Sequence, residues 1–304
     1  MAKDKFDVII IGGGPAGMAA SMWCAKLGLR ALLIEKEGEL GGQLLRIYGE
    51  INDYPGVTAK DGRELCDLFS AKVSVDRFLG SEIGDVDIER LSLQMADGKS
   101  LSGRSLVIAT GVRRRVLDIP GEREFVRRGL LDSGMRSRGG VAGKVVVIVG
   151  GGDAALENAI ILSESAQKVI VVHRRKELGA RLGFVDTASA RPNVEFMFDS
   201  VLTEISGGAT VESVTVENRR GERSTLACDA VLIRVGVEPN TEFLKGRIDL
   251  DDRGYVIADK ELRTSAAGIW AVGDVVSSRS LTIARAVGNG ATAAQSILDH
   301  LKGG

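Results

Sequence analysis

The chain has 304 residues, a hydrophobic content of 44%, a formal net charge of −1 and a pI near 6.2. This length allows two domains with cores of their own, and the near-neutral charge argues against a protein that binds nucleic acid or a membrane surface. No apolar run approaches the ~20 residues that a membrane span needs. The first run, Val8–Ile11, leads directly into glycines, which is typical of a buried strand and not of a signal peptide.

The first predicted elements are a strand over residues 6–11, a glycine turn and a helix. Gly12, Gly14 and Gly17 form the G-x-G-x-x-G pattern between strand and helix, which permits a tight turn, close approach of a pyrophosphate and close packing of the helix. Glu35 follows Gly12 by 23 residues, at the end of the next predicted strand, where a carboxylate can accept both ribose hydroxyls. The spacing predicts an adenine dinucleotide site rather than a simple tight turn.

The same plan recurs in the middle of the chain, with a predicted strand over residues 145–149, a glycine turn and a helix. Alanine in the third place still satisfies the fingerprint. The residues of this second predicted dinucleotide site are Gly150, Gly152, Asp153 and Ala155.

The acid that would bind an NAD ribose is absent from the second copy. His173 lies 23 residues after Gly150, and Arg174 and Arg175 follow it. Guanidinium groups bind a 2′-phosphate, which a carboxylate would repel, so the sequence favours NADP over NAD. The alternative is a solvated basic strand end.

Each copy continues with a hairpin and a buried strand that ends in glycine, and the first copy is completed late, by residues 268–274 and a helix over about 281–301. We therefore predict an α/β protein with two Rossmann-like, three-layer (ββα) dinucleotide-binding domains, the second inserted in the first. The predicted ranges are 1–117 and 245–304 for the first domain and 118–244 for the second.

The chain resembles the low-molecular-weight thioredoxin reductases from residue 6 to about residue 300. The resemblance includes Gly236-x-x-Pro239-Asn240-Thr241, the stretch 286–290, and the flanks of Ser133–Arg138. It implies FAD at the first site, NADPH at the second, a homodimer and rotation of the two domains during catalysis.

The resemblance also implies which further residues contact FAD. In that family, the aspartate that matches Asp274 contacts the ribityl phosphate region, and the segment that matches Gln43 lies along the flavin. The alternative is that Asp274 is an ordinary turn residue. The residues concerned are Gly42, Gln43, Asp53, Thr110, Gly111, Gly273 and Asp274.

One element of that family is missing. The family carries Cys-Ala-Thr-Cys-Asp-Gly where this chain has Ser133 to Arg138, so that Ser133 and Arg136 occupy the two cysteine positions and Ser137 the acid position. A dithiol relay needs two thiols that can cycle, so we expect no thioredoxin reduction by the usual route. The chain's three cysteines are far apart and make no Cys-x-x-Cys, and we expect buried thiols in a cytoplasmic protein. They are Cys24, Cys66 and Cys228.

The stretch 113–138 is basic, with eight arginines against four acids. Such a patch can receive an acidic redox protein such as ferredoxin; a solvated linker with scattered ion pairs is the alternative. A cysteine-less branch of the family, the thioredoxin-reductase-like ferredoxin–NADP⁺ reductases, fits Asp53 slightly better, but it has a C-terminal extension that this sequence lacks.

The leading hypothesis is an NADPH-dependent FAD oxidoreductase that passes electrons to an external acceptor, with no side chain assigned as acid, base or nucleophile. Two alternatives stay open at this point. One is a disulfide reductase for a small substrate bound directly at the flavin, and the other is a redox-silent FAD-binding sensor or interaction protein.

Overall fold

The computed structural model describes residues 6–303 and divides into two compact units. The first unit runs to Arg113 and resumes at Glu238, and the second is the continuous segment Arg114–Val237. The sequence-based boundaries, after residues 117 and 244, lie a few residues further along the chain.

The elements of the first unit before the crossing are β1 (Phe6–Ile11), α1 (Pro15–Lys26), β2 (Ala31–Ile34), a 3-10 helix (Gly42–Arg46), α2 (Gly62–Ser70), β3 (Asp76–Phe78), β4 (Ile83–Asp87), β5 (Ser92–Met95), β6 (Ser100–Ile108) and β7 (Val112–Arg114). The elements that follow are β8 (Leu130–Leu131), α3 (Gly134–Ser137), a 3-10 helix (Arg138–Val141), β9 (Val145–Val149), α4 (Asp153–Ser163), β10 (Lys168–Val172), α5 (Leu182–Ser189), β11 (Val194–Met197), β12 (Ser200–Gly207), β13 (Val211–Asn218), β14 (Arg223–Ala227), β15 (Ala230–Ile233) and β16 (Val237–Pro239). The last elements are two 3-10 helices (Glu242–Leu244 and Gly273–Val276), β17 (Ile269–Ala271) and α6 (Ile283–Gly303).

The core of the first unit is a parallel sheet in the order β3-β2-β1-β6, with β17 on the far side of β6 and β5 and β4 extending β6 as an antiparallel meander. Alternate residues of β1 face opposite layers, because side chains alternate along a strand. Val8 and Ile10 pack in the cluster that includes residues of α1 and α6, while Ile9 and Ile11 pack in the cluster that contains Leu93 of the meander. These are the three layers that the sequence predicts.

Helix α6 packs closely on α1, at the side of the sheet where the first glycine turn lies. A Cβ at Gly290 would lie 2.6 Å from both the carbonyl oxygen of Ala16 and the backbone nitrogen of Ala20. Only glycine permits this approach, so the stretch 286–290 fixes α1 and with it the turn that precedes α1.

The second unit repeats the plan with the parallel order β11-β10-β9-β15-β8 and a separate antiparallel meander, β12-β13-β14. In β9, Val146 and Ile148 face the α4 layer, and Val147 and Val149 face the meander layer. The predicted fold class is therefore confirmed.

The fifth strand of each parallel sheet comes from a different part of the chain. In the first unit it is β17, which follows the insertion and pairs with β6, as the sequence predicts. In the second unit it is β8, which precedes the glycine motif and pairs with β15. β8 has only two residues and was not predicted. None of the helices in the described part of the chain has both the length and the apolar character that a membrane crossing needs.

Candidate functional site

The first glycine turn has the geometry that the fingerprint requires. Gly12 has a φ of +109°, and a Cβ there would overlap the carbonyl oxygen of Ala109. A Cβ at Gly17 would overlap the carbonyl oxygen of Gly12, whereas a Cβ at Gly14 meets nothing within 4 Å. The first and third glycines are therefore required by packing, and the second faces open space at the N-terminus of α1, where a phosphate can approach.

Glu35 holds this turn from the end of β2. Its side chain is buried, Oε2 accepts a hydrogen bond from the backbone N–H of Gly13 at 2.6 Å, and Oε1 accepts one from the N–H of Glu37 at 2.9 Å. Each carboxylate oxygen has two lone pairs, so both oxygens keep the capacity to accept a hydroxyl of a ligand.

Asp274 and Arg285 form a half-buried polar pair, in which one buried atom of each side chain has unused hydrogen-bonding capacity. Asp274 Oδ1 lies 3.6 Å from Arg285 Nη2 and has no hydrogen-bond partner among the described residues, and Arg285 Nε has none either. Burial raises the pKa of the Asp274 carboxyl, and Arg285 opposes that shift. Buried polar atoms are normally satisfied, so an unpaired acceptor next to an unpaired donor fits a ligand with hydroxyl and phosphate groups.

The 3-10 helix Gly42–Arg46 begins against the glycine turn. Gly42 has a φ of +53°, and a Cβ there would lie 3.2 Å from the Cα of Gly14. Gln43 Nε2 donates to the carbonyl oxygen of Val112 at 2.9 Å. The predicted residues Gly42 and Gln43 therefore adjoin the turn, whereas Asp53 is exposed in the loop that follows.

Thr110 and Asn240 hydrogen-bond to each other near the points where the chain leaves the first unit and returns to it. Thr110 Oγ1 donates to the carbonyl oxygen of Asn240 at 2.9 Å, and Asn240 Nδ2 donates to the carbonyl oxygen of Thr110 at 2.7 Å. Gly111 follows with a φ of +62°. The sequence did not predict this reciprocal pairing, because the partners are 130 residues apart.

The second glycine turn repeats the first with one change. Gly150 has a φ of +148°, and a Cβ there would overlap the carbonyl oxygen of Arg234, whereas a Cβ at Gly152 meets nothing within 4 Å. Ala155 is fully buried behind the turn. The turn therefore presents the same open helix N-terminus, here that of α4.

His173 packs on this turn and supports it. A Cβ at Gly151 would overlap the His173 ring, and His173 Nε2 is 3.0 Å from the carbonyl oxygen of Glu177. Burial lowers the pKa of His173, and the neighbouring arginines lower it further. His173 is therefore a neutral, packed residue at neutral pH.

Arg174 and Arg175 are exposed at the mouth of a cavity of about 740 Å³, which the glycine turn and His173 also line. No carboxylate of residues 6–303 pairs with either guanidinium. The cavity lies wholly within the second unit, and it combines an open helix N-terminus with two guanidinium groups that have no carboxylate partner among residues 6–303.

Arg181 lies beside the cavity but is engaged. Its backbone nitrogen and its Nε each donate to the Asp153 carboxylate at 2.7 Å. Asp153 is the first residue of α4, so Arg181 compensates a negative charge at the helix N-terminus. Gly179 lines the cavity and contributes no side chain there.

The segment that replaces the dithiol is packed against α4. Ser133 is buried, and the backbone N–H of Gly134 donates to Asn158 Oδ1 at 2.7 Å. Arg136 lies 3.7 Å from the carboxylate of Asp132.

The three cysteines are buried and unpaired, as predicted. Burial raises the pKa of Cys24 and of Cys228 to about 12, with Asp7 and Asp229 adding to the respective shifts, and it also raises the pKa of Cys66. A thiol that stays protonated is a poor nucleophile, so none of them replaces the missing pair.

The arginines of residues 113–138 are mostly paired with carboxylates, some from distant parts of the chain. The pairs are Arg113 with Glu238 and Glu242, Arg114 and Arg136 with Asp132, Arg123 with Asp118, Arg128 with Glu124, and Arg138 with Glu164. The count of eight against four therefore overstates the local charge, and the structure favours the solvated linker with ion pairs.

One group of cavity residues was not predicted from the sequence. Arg114, Arg115 and Arg234 line the same cavity on the side of β15. Arg234 could have been recognised as a candidate, because it is the only charged residue in the apolar run 230–235.

Comparison with known proteins agrees with this geometry. The family model for pyridine nucleotide-disulphide oxidoreductases matches residues 6–290. A thioredoxin reductase of Listeria innocua is 36% identical over 309 residues, which cover 99% of this chain and 96% of that protein. The crystal structure of Lactococcus lactis thioredoxin reductase superposes with a TM-score of 0.87 at 34% identity, and it covers 98% of this chain and 100% of its own. The crystal structure of T. acidophilum thioredoxin reductase gives a TM-score of 0.84 at 29% identity and covers 99% of this chain and 100% of its own.

These matches confirm the resemblance, the fold class and the two cofactors that the sequence predicts. The chain therefore belongs to the pyridine nucleotide-disulphide oxidoreductase family, as an NAD(P)H-dependent flavoprotein oxidoreductase of the low-molecular-weight thioredoxin reductase type that uses FAD and NADPH.

Proposed function

We propose that the first unit binds FAD and that the second binds NADPH. For FAD, the support is the open N-terminus of α1, the buried Glu35 carboxylate and the unsatisfied Asp274–Arg285 pair. Gly42, Gln43 and the Thr110 loop adjoin this turn and complete the proposed site. An anionic diphosphate at the α1 N-terminus gains from the helix dipole and from free backbone N–H groups.

For NADPH, the observation that carries the proposal is the cavity of the second unit. The open N-terminus of α4 fits the pyrophosphate, and Arg174 and Arg175, exposed and without carboxylate partners, fit the 2′-phosphate. The neutral His173 positions the glycine turn rather than adding charge. Since Gly179 contributes no further cation and Arg181 pairs with Asp153, we expect the preference for NADPH over NADH to rest on two guanidinium groups.

We further propose that electrons leave to an external acceptor without passing through a protein dithiol. When bound, NADPH supplies a hydride to the flavin, and the flavin supplies electrons to the acceptor. The protein's part is to hold both groups. Its own side chains do not relay the electrons, because Ser133 and Arg136 cannot form a disulfide and the three cysteines are buried.

The pairing of the arginines in residues 113–138 bears on the acceptor. Most of these charges are already compensated by carboxylates, which leaves little net charge for an acidic protein such as ferredoxin. We therefore favour a small-molecule acceptor, a class that includes a small disulfide bound at the flavin, and we rank ferredoxin below it.

An anaerobic titration of the FAD-loaded protein tests the proposal. Fast bleaching of the flavin band by NADPH, with NADH much slower, supports it. The variant Arg174→Ala/Arg175→Ala is expected to weaken NADPH binding and leave NADH nearly unchanged, whereas Arg223→Ala, an exposed arginine on β14, serves as the control for loss of charge. A protein that dithionite bleaches but NADPH does not would contradict the reductase and favour the redox-silent sensor.

A further inference from the structure

The side of the second-unit cavity formed by β15 holds a cluster of charges that the dinucleotide does not explain. Arg114 Nη1 donates to both the carbonyl oxygen and Oδ1 of Asp132, at 2.6 and 2.8 Å. Arg234 Nη2 donates to the same carbonyl oxygen at 2.7 Å, so the two guanidinium groups share one acceptor. Arg136 Nη1 lies 3.7 Å from Oδ2 of the same Asp132 carboxylate.

Arg234 is the residue of this cluster that has no carboxylate at ion-pair distance among residues 6–303. Its guanidinium hydrogen bonds go to the backbone carbonyl oxygens of Ile233 and Asp132, and no carboxylate of residues 6–303 pairs with it. Burial and the neighbouring Arg114 lower the pKa of Arg234 to about 10, against the opposing effect of Asp132 and Glu157, and Arg234 stays charged at neutral pH. A partly buried cation beside a second cation is costly unless an anion joins it.

The position of the cluster separates it from the phosphate contacts already proposed. In the parallel sheet, β9 lies between β10 and β15. Arg174 and Arg175 follow β10, whereas Arg234 follows β15, on the opposite side of the glycine turn. The ends of parallel strands line a binding crevice in such sheets. The proposed dinucleotide has its 2′-phosphate beside Arg174 and Arg175 and its pyrophosphate at the N-terminus of α4, so a cationic group beyond the turn, after β15, is available to a further anion.

We propose that Arg114 and Arg234 bind the carboxylate or phosphate group of a small molecule that occupies the cavity together with the dinucleotide. This inference rests on the proposed function in one respect, namely that NADP(H) occupies the remainder of the cavity. Asp132 holds the two arginines in place and partly offsets their charge. The cluster lies next to Ser133, so the substrate class that it selects, a small anionic acceptor or effector, takes a place beside the segment that in the resembling family carries the dithiol.

Calorimetric titration of the FAD-loaded protein with inorganic phosphate, in the presence of saturating NADP⁺, tests the proposal. We expect one phosphate per chain. Arg234→Met is expected to weaken phosphate binding by about tenfold to a hundredfold, the range for losing a hydrogen bond to a charged group. Arg234→Lys is expected to retain part of the affinity. Arg223→Met, which removes an exposed charge from β14, is expected to bind phosphate as tightly as the unchanged protein.

A second variant makes the test independent of folding damage. Asp132→Asn removes the carboxylate that pairs with Arg114 and Arg136 and keeps the backbone carbonyl that Arg114 and Arg234 use, so it is expected to tighten phosphate binding. Unchanged phosphate binding in both Arg234→Met and Asp132→Asn would overturn the inference. So would phosphate that binds only without NADP⁺, because the anion would then be the pyrophosphate of the dinucleotide.

The same proteins separate the two proposals. Flavin reduction by NADPH is measured on each variant in parallel. Absence of phosphate binding in the unchanged protein, with intact flavin reduction, refutes only the anion site, and phosphate binding in a protein that NADPH cannot reduce refutes only the reductase.

Discussion

The Glu35 carboxylate lies between two backbone N–H groups, those of Gly13 and Glu37, and is almost removed from solvent. Glu35→Gln replaces one acceptor oxygen by an NH₂ group that cannot accept. We expect a loss of about 1–3 kcal/mol in the free energy of unfolding, the usual range for a buried donor left unpaired, together with weaker retention of FAD. Thermal denaturation and the FAD content after gel filtration measure both effects.

Glu37→Gln is the matched control, because the Glu37 side chain is exposed and only its backbone takes part in the contact. Equal losses in the two variants would show that the Glu35 carboxylate has no special part in the turn.

The buried thiols give a pH dependence with a definite sign. The pKa of Cys24 and Cys228 rises from 9.0 to about 12 in the folded protein, so the folded state resists deprotonation that the unfolded state undergoes. This contribution to stability is fully present below pH 9 and is lost as the pH rises from about 9 toward 12. Denaturant unfolding at pH 7 and pH 10 should show a smaller decrease for Cys24→Ala/Cys228→Ala than for the unchanged protein.

The same burial predicts thiol reactivity. A disulfide reagent at pH 8 should label none of the three cysteines rapidly in the folded protein and all three after denaturation. Rapid labelling of one thiol in the folded state would identify a cysteine that can take part in exchange, contrary to the assignment of all three to the core.

At the scale of single elements, the fit between α3 and α4 depends on a missing side chain. A Cβ at Gly134 would lie 2.5 Å from Asn158 Oδ1, the atom that accepts the hydrogen bond from the Gly134 N–H. Gly134→Ala should therefore push the segment off α4 and lower the free energy of unfolding by about 1–3 kcal/mol. Gly139→Ala is the control, because a Cβ there meets nothing within 4 Å.

Asn158→Ser shortens the side chain that would collide. In the double variant, the cost of Gly134→Ala should fall, and a double-mutant cycle measures this coupling. Additive costs would mean that the overlap at Asn158 is not what excludes alanine. The resembling family has alanine at this position, so restoring its dithiol segment here requires a change in α4 as well.

Elements with a local cause could be predicted from the sequence, and contacts between distant residues could not. The two glycine turns were predicted because the glycine spacing between a strand and a helix is a local signal, and the contact of Gly17 with the Gly12 carbonyl oxygen lies within the motif. The atoms that exclude a Cβ at Gly12 and Gly150 belong to Ala109 and Arg234, which the local pattern does not reveal. The cluster of Arg114, Asp132 and Arg234 was missed because its members join only when β15 pairs beside β8 and β9. The basic stretch was overestimated for the same reason, since carboxylates such as Glu164 come from elsewhere in the chain.

At the scale of the whole molecule, the second unit begins and ends at neighbouring points. The backbone nitrogen of Arg115 donates to the carbonyl oxygen of Gly236 at 3.1 Å, and β8 supplies the edge strand of that unit's own sheet. Since both cores of the unit are internal to residues 114–237, we expect this segment to fold when expressed alone. Circular dichroism with a cooperative melt tests this.

The complementary fragment joins residue 113 to residue 238 through a short Gly-Ser linker. Its ends are already held by Arg113 with Glu238 and by Thr110 with Asn240, so we expect it to fold and to retain FAD. The isolated second unit, in turn, should bind NADP⁺ and no flavin. Failure of either fragment to fold would show that the units depend on each other for stability.

The burial and separation of the three thiols have a consequence for electron counting. A cycling dithiol stores one electron pair, so a flavoprotein that has one takes up two pairs per chain before it is saturated. With Cys24, Cys66 and Cys228 unpaired in the core, FAD is the only reservoir, and a reductive titration should end after one equivalent of dithionite per flavin. An end point at two equivalents would reveal a second redox centre. A chain with a capacity of one pair must pass that pair to the acceptor before it can take up another.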